Sequence, residues 1–149
     1  MKLKIFICSF AFLLVASVSF AQGKKDPKSI ISEKISIKKY HNKDELDRMQ
    51  KGELIELYTE RNQVLVNTLP YIAFATKPGI TMSTLGIPND SDNRKALEDQ
   101  FDTTDDYLEK STEFHKVYLP YSDTKNLIAA ILFYEEIMKS LHQYAEFRQ

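Results

Sequence analysis

Apolar residues recur every three or four positions in three long segments of the chain, at residues 53–75, 91–119 and about 124–147. This spacing places the apolar side chains of each segment on one face of an α-helix. We therefore predict an all-α fold, a kinked three-helix bundle with up-down order. A short turn at residues 44–49 would add a fourth helix if it extended backward along the chain.

Proline and glycine are concentrated between the first two predicted helices, from Pro70 to Asn93. Because proline lacks the N–H that an α-helix requires, Pro70 should kink the first helix before it continues to residue 75. Thr81 can cap a short turn, and Gly86 can end that turn in a left-handed conformation. This stretch is expected to divide the domain into two halves.

The N-terminal sequence predicts export. Lys2 and Lys4 precede an apolar run at residues 5–18, and small residues stand at the cleavage-site positions that follow, which is typical of a secretory signal peptide of residues 1–21. The run is shorter than the ~20 residues that cross a bilayer, so we expect no transmembrane segment in the mature chain. We therefore predict that the mature protein resides in the periplasm or outside the cell.

The chain has a single cysteine, Cys8, which lies within the predicted signal peptide. Its early position, behind Phe6 and Ile7, does not match the site of lipid attachment in a lipoprotein. A mature chain without cysteine cannot form disulfides, zinc–thiolate sites or covalent links to haem.

The charge changes sign along the mature chain. Residues 22–43 carry seven lysines and two acidic residues, whereas residues 44–149 carry 11 basic and 19 acidic residues. We predict that residues 22–43 form a basic, largely extended and solvated arm, followed by one helical domain at residues 44–149. An acidic domain argues against nucleic acid as a partner, since phosphate contacts require a cationic face on the fold.

The second predicted helix carries an acidic ridge opposite its apolar face. Its carboxylates alternate at spacings of three and four residues: Asp99, Asp102, Asp106, Glu109 and Glu113. The simpler interpretation is a solvated face that prevents self-association. The alternative is a binding surface for cations or for a basic partner.

Four polar side chains fall on or beside apolar stripes: Arg61 on the first helix, His115 on the second, and Glu135 and His142 on the third. These positions predict a polar cluster in the bundle interior or at its border, where it would form a ligand-binding site. In the structural alternative, Arg61 extends to water, Glu135 pairs with Lys139, and the histidines bond to tyrosine hydroxyls.

The motifs of common catalytic and metal centres do not occur in the sequence. Glu-x-x-His, His-Glu-x-x-His, Walker and Gly-x-Ser-x-Gly patterns are all missing. We accordingly predict no catalytic residues, no metal and no cofactor. The less favoured alternative is a haem held without covalent attachment by one methionine and one histidine, from Met49, Met82 or Met138 and His115 or His142.

These observations favour a non-catalytic interaction or structural role, as an accessory to another secreted or envelope protein, with a homodimer as the alternative assembly. The alternative function is a small-ligand carrier that uses the polar cluster. An exposed apolar patch would favour interaction, and a closed pocket around Arg61 would favour the carrier.

Overall fold

The computed structural model describes residues 28–32 and 34–146 of the chain. Within these residues the secondary structure is mostly helical and contains no strand, only an isolated bridge between Ser29 and Thr81. The all-α class predicted from apolar spacing is therefore confirmed. The predicted signal peptide, residues 22–27 of the arm and residues 147–149 lie outside the described residues. No helix in the described ranges combines the length and the apolar character needed to span a membrane.

Four α-helices follow one another in the described chain: α1 (Lys43–Leu46), α2 (Lys51–Thr68), α3 (Ser91–Tyr118) and α4 (Thr124–Glu146). Side-chain caps mark the starts of α1 and α3. The Asn42 side chain accepts the N–H of Glu45, and the Glu45 carboxylate accepts the N–H of Asn42, which gives α1 a complete capping box. Asp90, one of two residues predicted to cap the second long helix, accepts the N–H of Asn93 at 2.8 Å.

Helix α2 ends at Thr68 and does not continue to Ala75 as the sequence predicted. Pro70 has no N–H to donate to the carbonyl of Val66, so the helical hydrogen-bond ladder stops there. The chain tightens instead into a 3-10 turn at Leu69–Tyr71. The bend at Pro70 therefore terminates the helix.

The following loop adopts the turn predicted around Gly86. The hydroxyl of Thr81 accepts the N–H of Thr84 at 3.2 Å at the start of a 3-10 turn, Ser83–Leu85. Gly86 closes this turn with a φ of 73°, a left-handed conformation that favours glycine. The turn places the start of α3 beside the end of α2.

Helices α2 and α4 run parallel. Leu54 near the start of α2 belongs to the same apolar cluster as Leu127 near the start of α4. Leu65, more than two turns further along α2, packs with Met138, which lies at a matching height on α4. Contacts that advance together along both helices require a parallel pair.

Helix α3 runs in the opposite direction. Tyr71, after α2, contacts Phe101 in the first half of α3, whereas Tyr58 contacts His115 near the end of α3. A 3-10 turn at Leu119–Tyr121 then reverses the chain into α4. Helices α3 and α4 are antiparallel as predicted, but within the described bundle they pack on α2 rather than extensively on each other, because their buried faces both turn toward α2.

The described part of the arm before Lys43 contains neither a helix nor a strand, and the expectation that it is solvated is wrong. Ile30 and Ile31 are buried beside Tyr71 and Met82 at the far end of α2. Further along, the arm packs on the middle of α2 and α4 through Ile35, Ile37 and Tyr40. Helical periodicity could not reveal this role, because an extended segment buries side chains without repeating every 3.6 residues.

Candidate functional site

Arg61 of α2 and Glu135 of α4 form an ion pair in the bundle interior, with 1% and 0% of their surfaces exposed. Nε and Nη2 of Arg61 donate to Oε1 of Glu135 at 2.9 and 2.8 Å. Nη1 lies 3.1 Å from a carboxylate oxygen of Glu60. The structure thus brings two of the predicted site residues together. The alternative expectation for them is wrong, because Arg61 does not extend to water and Lys139 lies beside Glu136 instead.

The extended arm completes the hydrogen bonding of this pair. The backbone N–H of His41 donates to Oε2 of Glu135 at 2.7 Å, and the carbonyl of Lys39 accepts from Nη2 of Arg61 at 2.5 Å. The His41 ring places Nδ1 3.3 Å from both Glu135 Oε1 and Arg61 Nη2. Sequence reasoning missed the contributions of the His41 N–H and the Lys39 carbonyl, because a backbone group carries no residue signal.

We call Arg61, Glu135, His41 and the Lys39 carbonyl the buried cluster. Removing charges from water costs several kcal/mol per ion unless the pair is well hydrogen-bonded, and here both partners meet that condition. The cluster joins three separate segments: the arm, α2 and α4. Its geometry is suited to fixing the arm on the helices, since the donors of Arg61 are directed at protein acceptors.

His115 and His142, the other two predicted site residues, lie outside the buried cluster. His115 packs edge-on against Tyr58, with ring centroids 5.2 Å apart. Burial lowers the pKa of His115, and burial followed by the positive charge of Lys77 lowers the pKa of His142. Both rings are therefore predominantly neutral at pH 7, and neither is a hydrogen-bond or ion-pair partner of Arg61.

Ring contacts form a continuous row across three helices, which we call the aromatic belt. In order the belt comprises Tyr118, Phe114 and His115 of α3, Tyr58 of α2, and Tyr134 and Phe133 of α4, with successive centroids 4.5 to 6.0 Å apart. Its centre is half-buried, whereas Tyr118, Phe114 and Phe133 are 57–61% exposed. Burial, followed by the hydrogen bond between the Tyr58 and Tyr134 hydroxyls, raises the pKa of Tyr58 to about 12. The belt therefore has exposed aromatic rings at both ends.

The predicted acidic ridge of α3 is exposed along its whole length: Asp99, Asp102, Asp106, Glu109 and Glu113. Asp99 forms an ion pair with Lys95, one turn earlier on the same helix, at 2.6 Å. The ridge lies about 120° round α3 from the exposed aromatic residues of the belt, and Lys110 lies between the two.

A cleft of about 1050 Å³ lies between the arm, α2 and α3. Lysines of the arm and carboxylates of the helices line it: Lys28, Lys34, Lys38, Glu60, Asp102 and Asp105. Lys28 Nζ also lies 5.1 Å from the ring centre of Phe101. Apart from Asp102, none of the predicted site residues lines this cleft, and Arg61 and Glu135 are buried in the bundle.

The methionines considered as haem ligands occupy three different apolar clusters. Met82 is buried with Ile30, Met138 with Leu65, and Met49 packs at the edge of the cluster around Leu46. Across the described ranges, no three or more His, Cys, Asp or Glu side chains are grouped to hold a metal ion. The sulfur atoms act here as packing groups.

The features that bear on function are thus the hydrogen-bonded buried cluster, the aromatic belt with its exposed ends, the acidic ridge, and the cleft beside the arm. Comparisons with protein-family models, with curated proteins and with solved structures each found no match to this chain.

Proposed function

We propose that this chain is an exported, non-catalytic interaction protein that acts as an accessory to another secreted or envelope protein. The aromatic belt carries this proposal. Large contiguous apolar patches are uncommon on the surface of a monomer and mark sites of protein contact. Tyrosine and phenylalanine are also enriched in the cores of protein interfaces, and here they are displayed from a rigid helical frame.

The buried cluster supports the proposal indirectly. Arg61 was the centre of the predicted ligand site, but its Nε, Nη1 and Nη2 atoms contact Glu135, Glu60 and the Lys39 carbonyl. Its role is to hold the scaffold together. The signal-peptide pattern of residues 1–21 supports export.

Native mass spectrometry of the protein isolated from its own source tests the function. We expect a defined complex with a second protein, and we expect Phe114→Ser to reduce the complex about tenfold, as loss of an aromatic anchor at an interface does. Phe74→Ser is the matched control, because Phe74 is also an exposed phenylalanine (56%, against 57% for Phe114) but lies in the loop after α2. If the wild-type protein and the Phe114→Ser variant are both monomeric, the proposal is contradicted.

Small-ligand carriage is a second candidate, favoured by the cleft between the arm, α2 and α3. Its volume is close to the upper end of the range for small-molecule sites, and its charged lining suits a polar ligand. The same mass spectra would reveal a small molecule retained by the wild-type protein. Under this alternative, Lys34→Glu should release that molecule while Phe114→Ser leaves it bound.

A further inference from the structure

We propose that the cleft between the arm, α2 and α3 binds a short peptide with free termini, whose carboxylate end lies toward the lysines of the arm and whose ammonium end lies toward the carboxylates of α3. This inference rests on the second candidate function, ligand carriage in the cleft, and it does not depend on the aromatic belt. It follows from the length of the cleft, from the position of its charges and from the chemistry of its floor.

The cleft has the length of a short extended peptide. Helix α2 forms its floor, and the residues that line it there run from Glu60 to Asn67, which is about 10 Å along the helix. An extended chain advances about 3.3 Å per residue, so about three residues cover this distance. The volume of about 1050 Å³ leaves room for side chains beside the peptide backbone. A single amino acid is too short to reach both ends.

The arm presents unpaired lysines toward one end of the cleft. The carbonyl of Lys39 accepts from Nη2 of Arg61, which places the neighbouring Lys38 beside the Glu60 end of the floor. Lys34 lines the same wall four residues earlier. The ammonium groups of Lys34 and Lys38 form no hydrogen bond or ion pair with the described residues, whereas the Glu60 carboxylate is paired with Arg61. A ligand carboxylate is therefore favoured at this end.

Helix α3 presents unpaired carboxylates toward the other end. Tyr71, which follows α2, packs against Phe101 of α3 with ring centroids 6.1 Å apart. Asp102 and Asp105 follow Phe101 along α3 and line the cleft. Their carboxylates form no hydrogen bond or ion pair within the described ranges, whereas Lys28 beside them is paired with a carboxylate outside the cleft at 3.9 Å. A ligand ammonium group is therefore favoured at this end.

The floor between the two ends matches the peptide group. Gln63 and Asn67 lie one turn apart on α2 and carry side-chain amides, which both donate and accept hydrogen bonds. The Gln63 amide has no partner in the described part of the chain. Asn67 Nδ2 donates to the backbone carbonyl of Gln63, which leaves Oδ1 to accept from a ligand. Val64 and Leu108 add apolar surface for a side chain.

The same lining disfavours other classes of small ligand. A compound with several phosphates is repelled by the carboxylates at one end, and a polyamine is repelled by the lysines at the other. A purely apolar ligand would remove charged groups from water without replacing their hydrogen bonds, which costs free energy. A ligand with opposite charges at its two ends and hydrogen-bonding groups between them satisfies the whole cleft. A short peptide has this chemistry.

Isothermal titration calorimetry of the purified protein with the tripeptide Ala-Leu-Ala tests the inference. The N-acetylated tripeptide and its C-terminal amide each lack one terminal charge, and free alanine cannot reach both ends of the cleft. We expect the free tripeptide to bind at least about tenfold more tightly than each of these three compounds, because each loses a charged hydrogen-bonding group. Its affinity should fall as salt increases. Absence of measurable binding of the free tripeptide would overturn the inference, as would equal binding of its blocked forms.

Charge reversal at each end gives variants with matched controls. Lys34→Glu should remove the preference for the free carboxylate over the amide, while Lys125→Glu, on α4 outside the cleft, should leave that preference intact. Asp105→Lys should remove the preference for the free ammonium group over the acetylated form, while Asp106→Lys, at the next position of α3 but outside the cleft, should not. All four positions are exposed, so circular dichroism should show that every variant is folded. Equal effects of Asp105→Lys and Asp106→Lys would overturn the inference.

The ligand class and the carriage function fail in different ways. If native mass spectrometry finds a small molecule that Lys34→Glu releases, but the tripeptide does not bind, only the ligand class is wrong. If the protein retains no small molecule and the tripeptide does not bind, ligand carriage itself is wrong.

Discussion

Arg61 and Glu135 meet in an asymmetric ion pair: Nε and Nη2 of the guanidinium both donate to Oε1, which leaves Oε2 to accept the N–H of His41. The second hydrogen of Nη2 reaches the carbonyl of Lys39. Each charged group is therefore hydrogen-bonded both to the other helix and to the backbone of the arm. This arrangement makes the position of the arm depend on both side chains.

Removing either side of this pair should strongly destabilise the protein. We expect Arg61→Ala to lower the free energy of unfolding by roughly 3–5 kcal/mol, since it leaves the Glu135 carboxylate buried without a counter-charge. Arg61→Met should recover part of the loss, because it keeps the apolar stem. Denaturant titration measures both variants, with Lys95→Ala in an exposed pair as a control that should show no measurable change.

The double variant Arg61→Met, Glu135→Leu separates the effect of the two charges on stability from the effect of their hydrogen bonds to the arm. Apolar replacement of a buried ion pair is often neutral or stabilising. Here the N–H of His41 and the carbonyl of Lys39 would lose their partners, so we expect the double variant to stay less stable than wild type by about 2 kcal/mol. Wild-type stability in the double variant would show that the arm does not depend on the pair.

The arm should contribute to the core. Ile31 is almost completely buried, so Ile31→Ala should lower the free energy of unfolding by about 2–5 kcal/mol through lost burial and a cavity. Lys34→Ala, at an exposed position three residues later, should change stability by less than about 0.5 kcal/mol. Thermal or chemical unfolding, monitored by circular dichroism, distinguishes the two variants. Equal effects of the two changes would mean that the arm does not pack as described.

Tyr71 is a buried residue whose substitution should not destabilise the protein. Its hydroxyl is buried and has no hydrogen-bond partner among the described residues, while the ring packs with Ile30 and Met82. Because a buried unpaired polar group costs about 1–3 kcal/mol, Tyr71→Phe should leave stability unchanged or raise it. Tyr58→Phe is the control; it removes the bond to the Tyr134 hydroxyl and should not stabilise. A clear loss with Tyr71→Phe would reveal an additional partner.

Stability should fall as the pH decreases through the range where the histidines titrate. Burial lowers the pKa of His115 and of His142 below the ordinary value of 6.5, so the unfolded chain binds protons before the folded chain does. The free energy of unfolding is therefore highest above pH 6.5 and declines toward the folded pKa values. A His115→Phe, His142→Phe variant should have a flatter profile between about pH 7 and pH 5. If the free energy of unfolding of this variant depends on pH as steeply as that of the wild type, the two histidines are not the origin of the pH dependence.

Much of the fold was determined by local sequence. The apolar spacing of three segments predicted the long helices, Asp90 was identified as a cap, and Gly86 as a left-handed turn residue. These predictions are confirmed because each feature depends only on a few neighbouring residues. The features depend on the 3.6-residue period, on a side-chain acceptor near the first helical N–H groups, and on the backbone freedom of glycine. The exposed acidic ridge follows from the same periodicity.

Tertiary structure alone decided what the arm does and which polar residues meet. Arg61 was placed correctly on a buried stripe, but its partner Glu135 lies 74 residues away, and the arm groups that complete the cluster are a backbone carbonyl and a backbone N–H. The belt likewise joins rings from three helices whose approach no local pattern specifies. Burial of apolar surface and the cost of an unpaired charge act on the assembled chain, so contacts distant in sequence become definite only when the helices pack.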